Sequence, residues 1–154
     1  MGRAFVAVRP PDAVLEALEA TLAPARKVMV GPRWAGRDQW HVTLQFLGPV
    51  AALPPVVHGL GAAVAELTPF RFQLGGSGAF PNPRRARVVW IGAQDGAVAM
   101  AGLAAAVTGA LAPLGYEAEN RPFRSHLTVA RLREPGDVTS AVAALGDGPV
   151  GDGW

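Results

Sequence analysis

The sequence predicts one domain of mixed strands and helices, built from two pseudo-symmetric halves of about 1–80 and 85–154. Three observations predict it. Segments of strand period and of helical period alternate, and the order starts again near residue 87. His41-Val42-Thr43-Leu44 returns 85 residues later as His126-Leu127-Thr128-Val129. Leu22-Ala23-Pro24 and Leu111-Ala112-Pro113 close the helix that precedes each of these segments.

Residues 4–8 (AFVAV) form a short buried strand closed by Arg9-Pro10-Pro11. Asp12 is the N-cap of a helix in which Leu15, Leu18 and Leu22 recur at helical spacing up to Pro24. A loop with Gly31, Pro32 and Gly36 leads to a strand over 39–47, ended by Gly48-Pro49. A second helix covers 54–67, weakened by Gly59 and Gly61. Residues 70–74 alternate as a half-buried strand, with 75–78 and 81–83 as loops. The second round comprises a strand over 87–91, an Ala-rich helix over 98–114, a strand over 123–132 and a helix over 137–145. Phe70 lies 29 residues after His41, whereas the chain reaches its last residue, Trp154, 28 after His126. The repeat therefore predicts either that the second half borrows an edge strand from elsewhere or, as the preferred reading, a shortened chain with an incomplete terminal half and an uncovered edge near His126.

Composition narrows the function. Half the 154 residues are apolar and 17% are charged, which excludes a disordered chain. Cysteine is absent, so disulfides, thiolate metal sites and a cysteine nucleophile are excluded. Lys27 is the sole lysine among fourteen basic residues, and the net charge is +2. That excess is too small for non-specific binding along nucleic acid, but a few arginines suffice to grip one phosphate. Arg84, Arg85 and Arg87 read as a solvated turn, with guidance of a nucleic-acid chain as the alternative. With no apolar run near ~20 residues and no signal-peptide core, the expectation is a cytoplasmic protein with no membrane contact.

Residues i and i+2 of a strand share a face. His41 and Thr43 therefore point one way, as do His126 and Thr128, with apolar neighbours on the reverse. A pseudo-two-fold axis brings two imidazoles and two hydroxyls to one space. Two groups titrating near 6.5 suit displacement at a phosphodiester, one accepting a proton while the other donates. The hydroxyls suit non-bridging phosphate oxygens. The third histidine, His58, sits on a helix without such neighbours and reads as a surface residue. Two histidines make half a zinc site, and no Cys or acidic cluster supplies the rest. Neither a nucleophile elbow nor a Walker-type Gly-Lys-Ser/Thr occurs.

At these residues the chain resembles the 2H phosphoesterase superfamily, and within it the bacterial and archaeal RNA 2′,3′-cyclic phosphodiesterases, also called 2′–5′ RNA ligases. The resemblance extends to Phe5-Val6-Ala7-Val8, to 41–48 (HVTLQFLG), to 78–81 (GAFP) before Val89-Trp90-Ile91-Gly92, and to 122–131 (PFRSHLTVAR). It implies a bilobal α+β fold, two antiparallel sheets facing a central cleft with helices outside. It implies hydrolysis of a 2′,3′-cyclic phosphate on RNA ends or nucleotides to a 2′-phosphate, with no metal or other cofactor. On that pattern one motif histidine activates water and the other protonates the departing O3′; His126 is taken as the base and His41 as the acid, roles that the pseudo-symmetry leaves interchangeable in the sequence. Thr43, Thr128 and Arg131 hold the phosphate, and Phe46 stacks on a base. Family members continue past this point with strands that complete the terminal lobe. A monomer is expected.

Phe46 and Arg131 each lie five residues after a motif histidine. An odd offset puts them on the face away from the imidazoles, and they reach the cleft only through a bulge or a strand end. Two rivals remain: ligation of cyclic-phosphate and 5′-OH RNA ends by the same residues, and a non-catalytic module that binds RNA ends or nucleotides.

Overall fold

Leu15, Leu18, Leu22 and Ala25, each almost wholly buried, draw one face of the first helix, α1 (Asp12–Val28), into the core. Pro11 is its N-cap and Asp12 its first residue, where the carboxylate favours the helix dipole. The helix runs through Pro24 instead of stopping there. Proline removes one backbone bond and crowds the carbonyl four residues back, but Ala25 beyond it is packed into the core and holds the last turn.

The computed structural model describes residues 2–154. The strands are β1 (Arg3–Val8), β2 (Arg33–Trp34), β3 (Val42–Pro49), β4 (Gln73–Asn82), β5 (Arg85–Asp95), β6 (Leu127–Gly136) and β7 (Pro149–Val150). The other helices are α2 (Leu53–Ala65), α3 (Ala97–Leu111) and α4 (Thr139–Leu145). Leaving β2 aside, the order strand–helix–strand–helix–strand occurs twice. α1 packs on α4 and α2 on α3. The stretch Ala97–Leu114 is long and apolar enough for a membrane span by length and composition, with mean hydropathy 1.8. Its Met100, Ala104, Val107 and Leu111 are buried in the core.

The fold is α+β, but it holds one antiparallel sheet where two were expected. Its order is β1-β3-β6-β5-β4-β7, with β2 beside β6. Two features merge the halves. A single bridge, Val42 opposite Leu127, joins β3 to β6. In addition β4, from the first half of the chain, pairs with β5 of the second.

The edge expected near His126 is not open. β6 is bonded to β5 on one side and to β3 and β2 on the other. β7 pairs with β4 at Leu74 and Gly75, and beyond it Phe72 and Trp154 exchange two backbone bonds of 2.9 Å.

Element limits differ where glycine or an irregular segment misled the sequence reading. β4 runs through residues 75–78, expected as a loop. A Cβ on Gly75 would meet the Gln94 side chain at 2.6 Å, and one on Gly78 would collide with the Trp90 ring. These glycines make room for neighbours in a strand. β6 begins at Leu127 and not near 123, because residues 116–126 form an irregular segment.

Candidate active site

Val42 and Leu127 are fully buried, and they are the bridge that joins β3 to β6. Alternation turns their neighbours to the opposite face. Extending the register by one residue each way sets His41 across from Thr128 and Thr43 across from His126. The four polar side chains thus surround one bridge with two-fold pseudo-symmetry. All four line one cavity of about 1280 Å³, together with Phe46 and Arg131.

Phe46 and Arg131 reach this face because both strands bulge. Between β5 and β6 the register passes from Trp90–Thr128 to Val89–Ala130, leaving Val129 unpaired. Between β1 and β3 it passes from Ala7–Thr43 to Val6–Gln45, leaving Leu44 unpaired. Each extra residue lies three after its histidine. One inserted residue reverses the alternation, so an offset of five becomes a shared face. The odd spacing is resolved in both halves by the same device.

Each imidazole is held on two sides. Phe5 stacks on His41 with ring centroids 4.6 Å apart and planes 24° apart. The edge of Phe80 meets His126 at 5.0 Å, and Trp90 stands 6.5 Å away. His126 Nδ1 lies 2.8 Å from the Arg124 carbonyl oxygen. A carbonyl only accepts, so the neutral ring carries its proton on Nδ1 and leaves the Nε2 lone pair free. At His41 the backbone of Gln39, again two residues upstream, favours the protonated ring.

Burial is the main cause that lowers both imidazoles below their ordinary 6.5. Arg131 and then Arg9 add to it at His41, against the backbone of Gln39, which raises it. At His126 the Arg124 carbonyl opposes burial, while the charges of Arg124, Arg131 and Arg121 add to it. Arg131 acts on both rings.

The sequence reading missed Phe5, Phe80, Trp90 and Arg124 as parts of this site. The Arg124 guanidinium lies 5.0 Å over the Trp90 ring and 5.7 Å over that of Phe80. In the β4–β5 pairing Gly78 faces Trp90 and Phe80 faces Val88, so residues 78, 80, 88 and 90 share one face. Period-two counting finds them once that hairpin is known. Arg87, expected in a solvated turn, also lines the cavity, whereas Arg84 and Arg85 do not. Among the described residues no three of His, Cys, Asp and Glu gather at one point.

Fold and pocket together define a class: an α+β protein with two His-x-Thr strands facing one arginine-lined cavity. The chain belongs to the 2′-5′ RNA ligase superfamily, whose profile matches residues 10–151. The RNA 2′,3′-cyclic phosphodiesterase of Aeropyrum pernix is 35% identical over 119 residues, 74% of this chain and 66% of that protein. Other curated RNA 2′,3′-cyclic phosphodiesterases are spanned over between 41% and 79% of their lengths. The crystal structure of TT0787 of Thermus thermophilus superposes with a TM-score of 0.75 at 29% identity, covering 99% of this chain and 83% of that one. E. coli LigT complexed with 3′-AMP gives 0.63 at 27% identity, covering 87% and 79%.

Proposed function

We propose that the chain hydrolyses 2′,3′-cyclic phosphates of RNA ends or nucleotides to 2′-phosphomonoesters by metal-independent acid–base catalysis. The observation that carries this reading is the mirrored pair of His-x-Thr motifs about the Val42–Leu127 bridge, all facing one cavity. Names of the relatives point the same way.

Water attacks phosphorus and the bond from phosphorus to O3′ breaks, while O2′ keeps the phosphate. One imidazole Nε2 takes the proton of the water, and the other gives its proton to the departing O3′. His126 is assigned as the base: burial first, and then the charges of Arg124, Arg131 and Arg121, oppose protonation there against the Arg124 carbonyl, although His41 is lowered by the same kind of cause. His41 is the acid and takes up its proton as the phosphate anion enters. Thr43 and Thr128 donate to the non-bridging oxygens, and Arg131 balances their charge. Phe46, 57% exposed beside Phe5, offers a flat apolar surface to the base.

The test is hydrolysis of a 2′,3′-cyclic nucleotide in the presence of a strong chelator, with the product identified. A 2′-phosphate and undiminished activity are expected. His41→Ala and His126→Ala should each lower kcat by about 10²–10⁴. A 3′-phosphate product, or activity abolished by the chelator, overturns the reading.

The family description favours one second reading, the joining of a cyclic-phosphate end to a 5′-OH end. The hydroxyl then replaces water at the same base. Adding an RNA with a 5′-OH to the same assay separates the two by the appearance of a longer product. Unchanged absence of turnover in wild type and both alanine variants, with binding retained, indicates a non-catalytic binding module instead.

A further inference from the structure

Arg33 and Arg131 are directly opposite each other in the β2–β6 pair, so both side chains rise from the same face, and both line the cavity. Like charges in that position repel. No carboxylate relieves them: the ion pairs among the described residues are Arg26–Glu19, Arg37–Asp12 and Arg121–Glu119. The cavity wall carries Arg33, Arg87, Arg121, Arg124 and Arg131 against Asp38 and Glu119, and Arg121 already holds Glu119. Arg33 and Arg131 are both exposed, and together their guanidinium groups present two forks to an anion between or above them.

The two arginines differ in where their charge is felt. Arg131 lines the cavity with both motif histidines and stands two residues past the bulge that turns it to their face. Arg33 is not among the charges that act on either ring. It stands one strand further out, on the side of β6 away from Trp90 and Arg124. The cavity, at about 1280 Å³, exceeds the roughly 300–1,000 Å³ typical of a small-molecule site.

We propose that Arg33 forms a second anion subsite, which holds the phosphodiester preceding the terminal cyclic phosphate. The preferred substrate is then the end of an RNA chain and not a mononucleotide. This rests on the cyclic-phosphodiesterase reading and narrows its substrate class. Trp34 fixes the subsite, because its indole N–H donates to the Met29 carbonyl at 3.0 Å and its backbone pairs with Ala130.

The experiment compares a 2′,3′-cyclic mononucleotide with a dinucleotide that ends in the same base and cyclic phosphate. Wild type should favour the dinucleotide in kcat/KM by about tenfold or more, the worth of one charge-assisted contact. Arg33→Gln should collapse that preference, through KM, and reduce the salt dependence of dinucleotide KM by about 0.7 in log–log slope, the share of one phosphate. Arg131→Gln should lower turnover of both substrates. A preference that survives Arg33→Gln, or equal loss on both substrates, overturns the subsite.

Titration with a 2′-phosphate-ended dinucleotide and its mononucleotide counterpart reads the same subsite without chemistry. Tighter dinucleotide binding that depends on Arg33 supports it, and equal binding of the two ligands overturns it. If wild type turns over neither cyclic phosphate, the hydrolase reading fails on its own, while the titration still decides the subsite.

Discussion

His41 and His126 resist protonation because each ring is partly withdrawn from water and faces arginine charge. The unfolded chain carries both imidazoles at their ordinary value. Between that value and the lowered one, the unfolded state binds more protons than the folded state, and stability falls as pH falls. The loss begins near pH 6.5 and levels off below the folded values. Thermal unfolding followed from pH 8 to pH 5 should show this decline, and His126→Ala should flatten it. For catalysis, kcat/KM of the wild type should trace a bell with its optimum on the acid side of 6.5, since both limbs come from lowered groups. An alkaline optimum contradicts the pairing.

Phe5 provides a second test at the same scale. Its ring covers one face of His41, so Phe5→Ala admits water and should move the His41 titration upward toward 6.5. An NMR titration of the imidazole signals checks this directly. The same variant should leave His126, which faces Phe80 and Trp90, unmoved.

At the scale of elements, the bulges at Leu44 and Val129 decide which side chains face the cavity. The β4–β5 hairpin then supplies the wall behind His126. Trp90 lies against Gly78, where a Cβ would collide with its ring. Gly78→Ala should therefore destabilise the fold by about 1–3 kcal/mol, as overpacking does, although alanine elsewhere in a strand is favoured over glycine. Urea unfolding gives that cost. Activity should fall as well, because Trp90 carries the Arg124 guanidinium and stands beside His126. A variant with normal stability and activity would show that the ring moves freely, contrary to this packing.

The whole molecule is one sheet because β4 crosses to the second half and β3 meets β6 at the bridge. At its far side β7 and the residues after it lie beside β4 and Phe72. Phe72 is almost wholly buried, and the Trp154 ring meets it edge-on at 5.4 Å. Two Phe72–Trp154 backbone bonds accompany that contact. Removing residues 151–154 deletes both bonds, each worth about 1 kcal/mol, and uncovers Phe72. Loss of roughly 2 kcal/mol or more is expected in chemical denaturation. The motif strands β3 and β6 lie away from this edge, and the cavity-lining Phe80 and Pro81 sit at the other end of β4, so turnover per folded molecule should persist.

The strand–helix order, the buried face of α1 and the pairing of His with Thr on each motif strand were legible in the amino-acid order. They depend on periods of 2 and 3.6 residues, which are local properties of the backbone. Three things were decided only in tertiary structure: the bridge that puts the two motifs in register, the extra residues that bring Phe46 and Arg131 round to the imidazoles, and the crossing of β4 that merges two expected sheets. Each depends on which distant strand lies alongside. A strand does not encode its neighbour in its own period, and a one-residue slip between neighbours exchanges every side chain from one face to the other.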